Sequence, residues 1–543
     1  MKKLLLAMML ACAPAFAQVE NVPVANPVYE YLTRAEAKGL LPHFSSSMLP
    51  LSRAEITSAL KSIRRNAQQL SANDLRTLER FEKDFGLVKE ENLVVFYSEK
   101  DTSQVFSSRF FDDNPKYVYH HADSANNVTL SPLASADYIV KSSDEDDGNV
   151  LYGNIGFRLY GSLGSHFGYY LQATNGSIFS GDKSVALVDK HIGQNVKFTE
   201  LKSDFDFTES SVTVEYDWFH ATIGRETRLW GSGVNNSLYI SSNAPAFTTI
   251  ELGVKFKNFE YRFSHGGLLA TYSDSVKVGF NAVVAQKYVA MHRLAVKPSW
   301  GEFGFWESIV YSKRDMDLEY LNPLSFYKSL EHALRDRDNS MIGVDMTVRP
   351  LKNIELRGSF ILDDIIFGEI GNDYWSNKYA WNLGAWFSPD CPLDFGVEYA
   401  RIEPYMFSHF DSLNNYANDN YLIGIGLMPN SEEYSATARY WLGLGKYPVE
   451  MRLAYRRHGA NEYDADGNMT RNVGGDFAKT RMPEDSERVK FLDGDLQETL
   501  SVSIGWGFEL FRDFAMKFSY TLNHSAQTND EHYLRLTFMY LDF

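Results

Sequence analysis

The chain has 543 residues, 14% of them aromatic, with a formal charge of −17 and a mean hydropathy of −0.30. So acidic a balance argues against nucleic acid as a partner. After the N-terminal segment no stretch approaches the ~18 uninterrupted apolar residues of a membrane helix, which excludes a helical membrane protein.

Lys2 and Lys3 form a short basic region, Leu4 to Ala11 an apolar run, and Ala15-Phe16-Ala17 an A-x-A cleavage site. Residues 1–17 therefore read as a secretory signal peptide, with the mature chain starting at Gln18. Cys12 offers a rival reading as a lipid-attachment cysteine, which the A-x-A site fits less well. Cleavage leaves Cys391 as the single cysteine, so no intramolecular disulfide is expected in the oxidising compartment beyond.

Residues 18–92 read as a three-helix module in the periplasm. Asn26-Pro27 caps and opens a helix that runs to about Lys38 and stops at Gly39. Ser52-Arg53-Ala54-Glu55 is a capping box, followed by the apolar stripe Ile56, Leu60 and Ile63. Ser71 begins a third helix with Leu75, Leu78, Phe81 and Phe85 on one side and Gly86 closing it. Such a module is either a passive plug or a docking site for a periplasmic partner. Residues 93–125 fit neither pattern and read as a linker, lumen filling or an extra strand pair.

From about residue 126 to 543 the period becomes two. Leu500, Val502, Ile504, Trp506, Phe508 and Leu510 alternate with Ser501, Ser503, Gly505, Gly507 and Glu509. Val449, Met451, Leu453 and Tyr455 alternate likewise with Glu450, Arg452, Ala454 and Arg456. Such dyads place one face in lipid and the other in a polar lumen, and a high aromatic content suits the rims of a barrel. The expected fold is mostly β, a transmembrane antiparallel β-barrel in contact with outer-membrane lipids. The terminal Phe543 resembles the signal read by the outer-membrane insertion machinery.

Tight connections fall near Leu163-Ser165, Asp217-Trp218, Lys257-Asn258, Pro298-Gly301, Pro350-Asn353, Pro389-Pro392, Gly443-Pro448 and Phe511-Asp513. Each interval holds two strands and a longer polar loop, so with both ends in the periplasm the count is about 18 strands. Arg158, Glu215, Asp345, Arg349, Glu355, Arg357, Glu398, Glu450, Arg452 and Arg456 fall on the lumen side. The mixed signs suit cross-lumen ion pairs in a filled bore better than a single-sign pore constriction, although an eyelet with opposed charges would read alike.

Ile223-Gly224-Arg225-Glu226-Thr227-Arg228-Leu229-Trp230-Gly231-Ser232-Gly233, then Leu238-Tyr239-Ile240-Ser241-Ser242-Asn243-Ala244-Pro245, resembles the signature of the Wzi-type capsule assembly family. Tyr320-Leu321-Asn322-Pro323-Leu324 followed by Asp338-Asn339 is a second match. The resemblance implies an 18-stranded outer-membrane barrel with a periplasmic-side helical element. It also implies lectin-like attachment of capsular or other surface polysaccharide at the cell surface. A porin passing small solutes such as sugars is the alternative function.

For polysaccharide binding, Arg225 and Arg228 offer guanidinium forks to the carboxylates of acidic sugars, and Trp230 a face for a pyranose ring. Asn235, Asn236 and Asn243 can both donate to and accept from hydroxyls. The competing reading folds this Gly- and Pro-rich segment into the lumen to close it. Trp375, with Tyr374, Tyr379 and Trp381, forms an aromatic cluster suited to sugar stacking or to a membrane-interface girdle. Asp144-Glu145-Asp146-Asp147 and Asp464-Ala465-Asp466-Gly467-Asn468 lack full calcium-loop spacing and read as solvated loop tips. No serine elbow, zinc spacing or phosphate loop stands in a suitable context, so neither catalytic residue, metal nor cofactor is expected.

Overall fold

The computed structural model describes residues 18–88, 94–95, 113–123, 126–195, 198, 204–271, 276–278 and 281–541. The signal peptide, the Cys12 alternative, most of the 93–125 segment and Phe543 lie outside the described residues.

The period-two segments form a closed antiparallel barrel of 18 strands. The first nine are β1 Asn126–Ser143, β2 Gly148–Leu163, β3 Phe167–Gly181, β4 Asp204–Tyr216, β5 Phe219–Glu226, β6 Phe247–Phe256, β7 Phe259–Leu269, β8 Gln286–Val296 and β9 Gly301–Ser312. They are followed by β10 Asn339–Leu351, β11 Ile354–Asp364, β12 Lys378–Phe387, β13 Leu393–Ile402, β14 Ser431–Tyr440, β15 Val449–Ala460, β16 Asp495–Phe511, β17 Phe514–Ser525 and β18 Glu531–Tyr540. The barrel closes between β18 and β1, from Glu531 opposite Ser143 to Tyr540 opposite Ala134. The start of β1, beyond the reach of β18, is paired instead by the short strand Tyr119–Ala122.

All eight expected tight turns occur, on one rim, and several rest on a left-handed residue: Gly164, Lys257, Asn353 and Asp513 have φ of 61°, 53°, 68° and 67°. Outward positions are apolar and exposed, among them Ile155, Val212, Ile223, Leu383, Val397, Leu453 and Ile504. With no water to satisfy a barrel's outer wall, this is a lipid-facing surface. Trp218 and Trp300 stand exposed at the tight-turn edge, as an interface girdle requires.

The last strand, apolar on both faces by sequence, is resolved by its partners. Arg535 and Thr537 turn inward to Asp137 of β1, while Leu534 and Phe538 are exposed outward. The hydroxyl of buried Tyr540 donates to the Lys116 carbonyl (3.0 Å).

The helical module consists of α1 Val28–Ala37, α2 Arg53–Arg65 and α3 Ala72–Asp84. Ser52 and Glu55 form the expected capping box, and Ser71 with Asp74 form a second. Val28, Leu32, Ile56, Leu60, Ile63, Leu78 and Phe81 are its buried core, joined by Trp441 from the β14–β15 turn. Trp441 meets Tyr31 edge-on at 5.6 Å. Buried Arg34 reaches Asp74 (2.9 Å), Asp394 of β13 and the carbonyls of Leu393 (2.9 Å) and Cys391 (2.7 Å). Lys38 bonds the Pro389 carbonyl (2.9 Å), and Arg80 pairs with Glu509 (2.6 Å). The module is thus fixed in the mouth of the barrel on its tight-turn side.

All ten charged positions assigned to the lumen face inward or contact groups that do. Arg293 shows why both signs occur: fully buried, it bonds Glu302 and Asp345, each at 2.5 Å. A charge removed from water is tolerated only when so paired.

Candidate functional site

The segment between β5 and β6 does not project outward as a loop. It turns into the bore, where Leu229–Trp230 pairs with the short strand Met48–Leu49 of the N-terminal module. The Gly231 N–H donates to the Ser47 carbonyl (2.9 Å), so module and loop form one body across the lumen. Gly231 has φ +107°, a conformation that a side chain would strain. At Gly233 a Cβ would lie 1.8 Å from the Asn236 carbonyl oxygen, so this tight turn also requires glycine. Trp230, Leu238, Tyr239 and Ile240 then enter a core with Trp306 and Met291 of the wall and with Met406, Phe407, Tyr416 and Ile423 of the β13–β14 loop. Tyr239 stacks on Trp306 at 3.9 Å, and its hydroxyl donates to the Glu307 carbonyl (2.9 Å).

The tip of the segment is held mainly by one inward carboxylate, with a further bond from Asn236 Nδ2 to Glu433 (3.2 Å). Glu398 accepts from the Val234 N–H (2.5 Å), the Asn235 N–H (3.3 Å) and Asn236 Nδ2 (2.8 Å). Between this tip, the module and β15 lies a polar cavity of about 340 Å³. Its floor is Glu36 and Ser45–Ser47 of the module, and one wall is the Gly231–Ser237 backbone. The other wall carries Arg357, Arg452 and Arg456, and Lys190, Ser242 and Asn243 stand on the long-loop side. Lys190 and Ser242 are exposed there. On the floor, burial and then the neighbouring Glu355 carboxylate push the Glu36 carboxyl up to about 7, against the pull of Arg357 and Arg349.

The expected site residues divide. Asn235, Asn236 and Asn243 line the cavity. Asn235 is engaged on both amide atoms, by Ser435 (2.9 Å) and Thr437 (2.9 Å). Asn243 donates to the Leu422 carbonyl (2.8 Å). Arg228 and Trp230 are corrections to the expectation. Arg228 has a fully buried side chain paired to Glu251 (3.3 Å) and Glu226 (3.6 Å), and Trp230 is 0% exposed, so neither can touch a ligand. Arg225 is also corrected: it lies on the outward row of β5, opposite Ser210 and Thr248, away from the cavity. The geometry of Arg228 and Trp230 is that of the lumen-closing reading of the segment.

Trp375 is outside the cavity, in a separate loop patch with Tyr405, Val473 and Val489, and Arg481 lies 4.8 Å over its ring. Tyr379 and Trp381 belong to the outward wall, beside Phe360 and Tyr399, so the aromatic cluster splits into loop and girdle halves. The second signature closes on itself: Arg314 (2.6 Å) and the Tyr320 hydroxyl (2.7 Å) converge on buried Asp338. In the acidic tips, Asp464 accepts from its own turn, at the N–H groups of Asp466 (3.0 Å) and Asn468 (2.8 Å). The cavity arginines were legible as lumen residues; that they face the signature segment depends on barrel closure.

An 18-stranded lipid-facing barrel with its tight-turn mouth plugged and a polar cavity above the plug defines a class: an outer-membrane barrel with an occupied bore. The model of the family "Capsule assembly protein Wzi" matches residues 72–538, and the chain belongs to that family. Its fold is similar to Wzi of Escherichia coli, an outer membrane protein involved in group 1 capsule assembly and a carbohydrate-binding β-barrel. That match has 13% identity, 96% of this chain, 99% of the other and a TM-score of 0.58. OccAB4 of Acinetobacter baumannii (10% identity, 76% and 97% covered, TM-score 0.44) and the outer membrane protein OprD of Pseudomonas aeruginosa (11%, 76% and 92%, 0.42) also match. No curated protein sequence matches the chain.

Proposed function

We propose that this capsule assembly barrel binds exported surface polysaccharide in a lectin-like manner and retains it at the cell. The observation that carries this reading is the polar cavity that opens towards the long loops, lined by serine, asparagine and arginine rather than by an apolar pocket wall. Such groups exchange hydrogen bonds with sugar hydroxyls and carboxylates. The family and the carbohydrate binding of its Escherichia coli member support the same reading. A sugar-passing porin is the weaker reading, because Trp230, Tyr239 and Tyr416 occupy the bore where a solute path would run. On this reading the module faces the periplasm on the tight-turn side, the side from which a periplasmic partner would approach it.

Deleting the gene is the direct test in cells. Polysaccharide is expected to shift from the cells to the medium while total export is unchanged. Polysaccharide that stays cell-associated in the deletion strain would overturn the reading.

A further inference from the structure

The cavity holds a feature that a structural filler does not need. Arg452 and Arg456 lie on the same inward row of β15, and both reach one carboxylate, Glu433 of β14. Arg452 Nη2 bonds one Glu433 oxygen (2.7 Å) and Arg456 Nη2 the other (2.9 Å). Two guanidinium groups thus share a single buried counter-charge. Elsewhere in this bore arginines that share a carboxylate have a further one: Arg228 and Arg262 share Glu251 but also reach Glu226 and Glu260, and both are buried.

The two side chains also keep unused capacity towards the cavity. They are 36% and 47% exposed, whereas Glu433 is 1% exposed. Asn236, whose Nδ2 also donates to Glu433 (3.2 Å), and Asn243 on the long-loop side present amide groups whose Oδ1 atoms accept no hydrogen bond from the described residues. The arrangement supplies donors for an anion and, beside them, acceptors for hydroxyls. Its volume, about 340 Å³, lies in the range of small-ligand sites.

Resting on the proposed polysaccharide binding, we infer that this cavity takes a negatively charged sugar unit of the glycan. The carboxylate of the sugar lies against Arg452 and Arg456, and its hydroxyls lie against Asn236 and Asn243. Entry is from the long-loop side, past Ser242 and Lys190. The module floor at Ser45–Ser47 stops the glycan there, so the contact retains the chain without passing it through the wall.

The test compares strains carrying the full chain, no chain, Arg452→Gln/Arg456→Gln, and Arg452→Lys/Arg456→Lys. All are scored for cell-associated polysaccharide and for folded barrel in the outer membrane. The glutamine pair is expected to lower retention about ten-fold or more, the effect of losing a charge-assisted hydrogen bond. The lysine pair, which keeps the charge, is expected to retain most of it. Ser242→Trp, at the exposed mouth, is expected to block retention while leaving both arginines in place, and it decides the matter if the glutamine pair fails to fold. Full retention by a folded glutamine pair or by Ser242→Trp, or equal loss in the lysine and glutamine pairs, overturns the inference. If the strain without the chain also retains its polysaccharide, the binding reading itself fails; if only that strain loses it, the reading stands and the cavity assignment falls.

Discussion

Arg34→Ala is expected to release the helical module from the barrel mouth while leaving the barrel intact. Arg34 is 1% exposed and joins α1 to α3 through Asp74 and to β13 through Asp394, with two turn carbonyls completing its donors. Removing the cation leaves two buried carboxylates without their shared counter-charge, and breaking such a group costs about 3–5 kcal/mol. Asp394 keeps one donor, Trp441 Nε1 (2.6 Å), which is neutral and cannot balance the charge. Arg34→Lys should fall between, since an ammonium group cannot span acceptors on both sides. Limited proteolysis of the purified full chain checks this. New cleavages within residues 18–88 are expected in the alanine variant, with the barrel fragment still folded. A cleavage pattern and thermal midpoint equal to the parent would contradict this account of the plug.

Trp230→Ala should produce the other large effect, at the junction of plug and loop. The indole is fully buried beside Met48 and Tyr239, and its backbone bridges both Met48 and Ile240. Truncating a buried tryptophan costs about 3–5 kcal/mol, more when the cavity cannot collapse. Collapse is hindered here because a closed wall surrounds the site. The variant is expected to melt at a lower temperature and to lose polysaccharide retention as the Gly231–Ser237 wall shifts. Trp506→Ala, on the lipid face and 38% exposed, should change neither by much. Thermal unfolding in detergent and retention in cells check the pair; a Trp230→Ala protein matching Trp506→Ala in both would place Trp230 outside the supporting core.

These two residues also mark where the sequence could and could not be read. The strands were legible because a lipid wall and a polar bore impose period two. Leu500 to Leu510 alternates outward with Ser501 to Glu509 for that reason, and the tight turns needed residues such as Asn353 and Asp513 that tolerate positive φ. The Ser52–Glu55 capping box and the serine at Ser71 likewise marked the starts of α2 and α3 from local chemistry alone. Trp230 and Arg228 were misread because their burial is set by distant partners: Met48 lies in the N-terminal module, and Glu251 lies on the next strand. A glycine-rich polar segment looks like an exposed loop until those partners are known. Arg225 was misread as a loop residue, whereas the strand continues to Glu226 and turns Arg225 outward. The last strand could not be oriented because Met539 and Tyr540, near the module end, are both buried, one on each face. Arg452 and Arg456 were legible as inward residues, but their shared carboxylate comes from β14, and their facing partners come from a segment some 200 residues earlier in the chain.

The central claim, that this barrel is a polysaccharide-binding protein, is tested most directly by titrating the detergent-purified full chain with polysaccharide isolated from the producing cells. The same glycan with its carboxyl groups reduced to alcohols serves as the comparison. Saturable binding of the native glycan, weakened by carboxyl reduction and by added salt, is the expected result. No binding of the native glycan by folded protein would contradict the account.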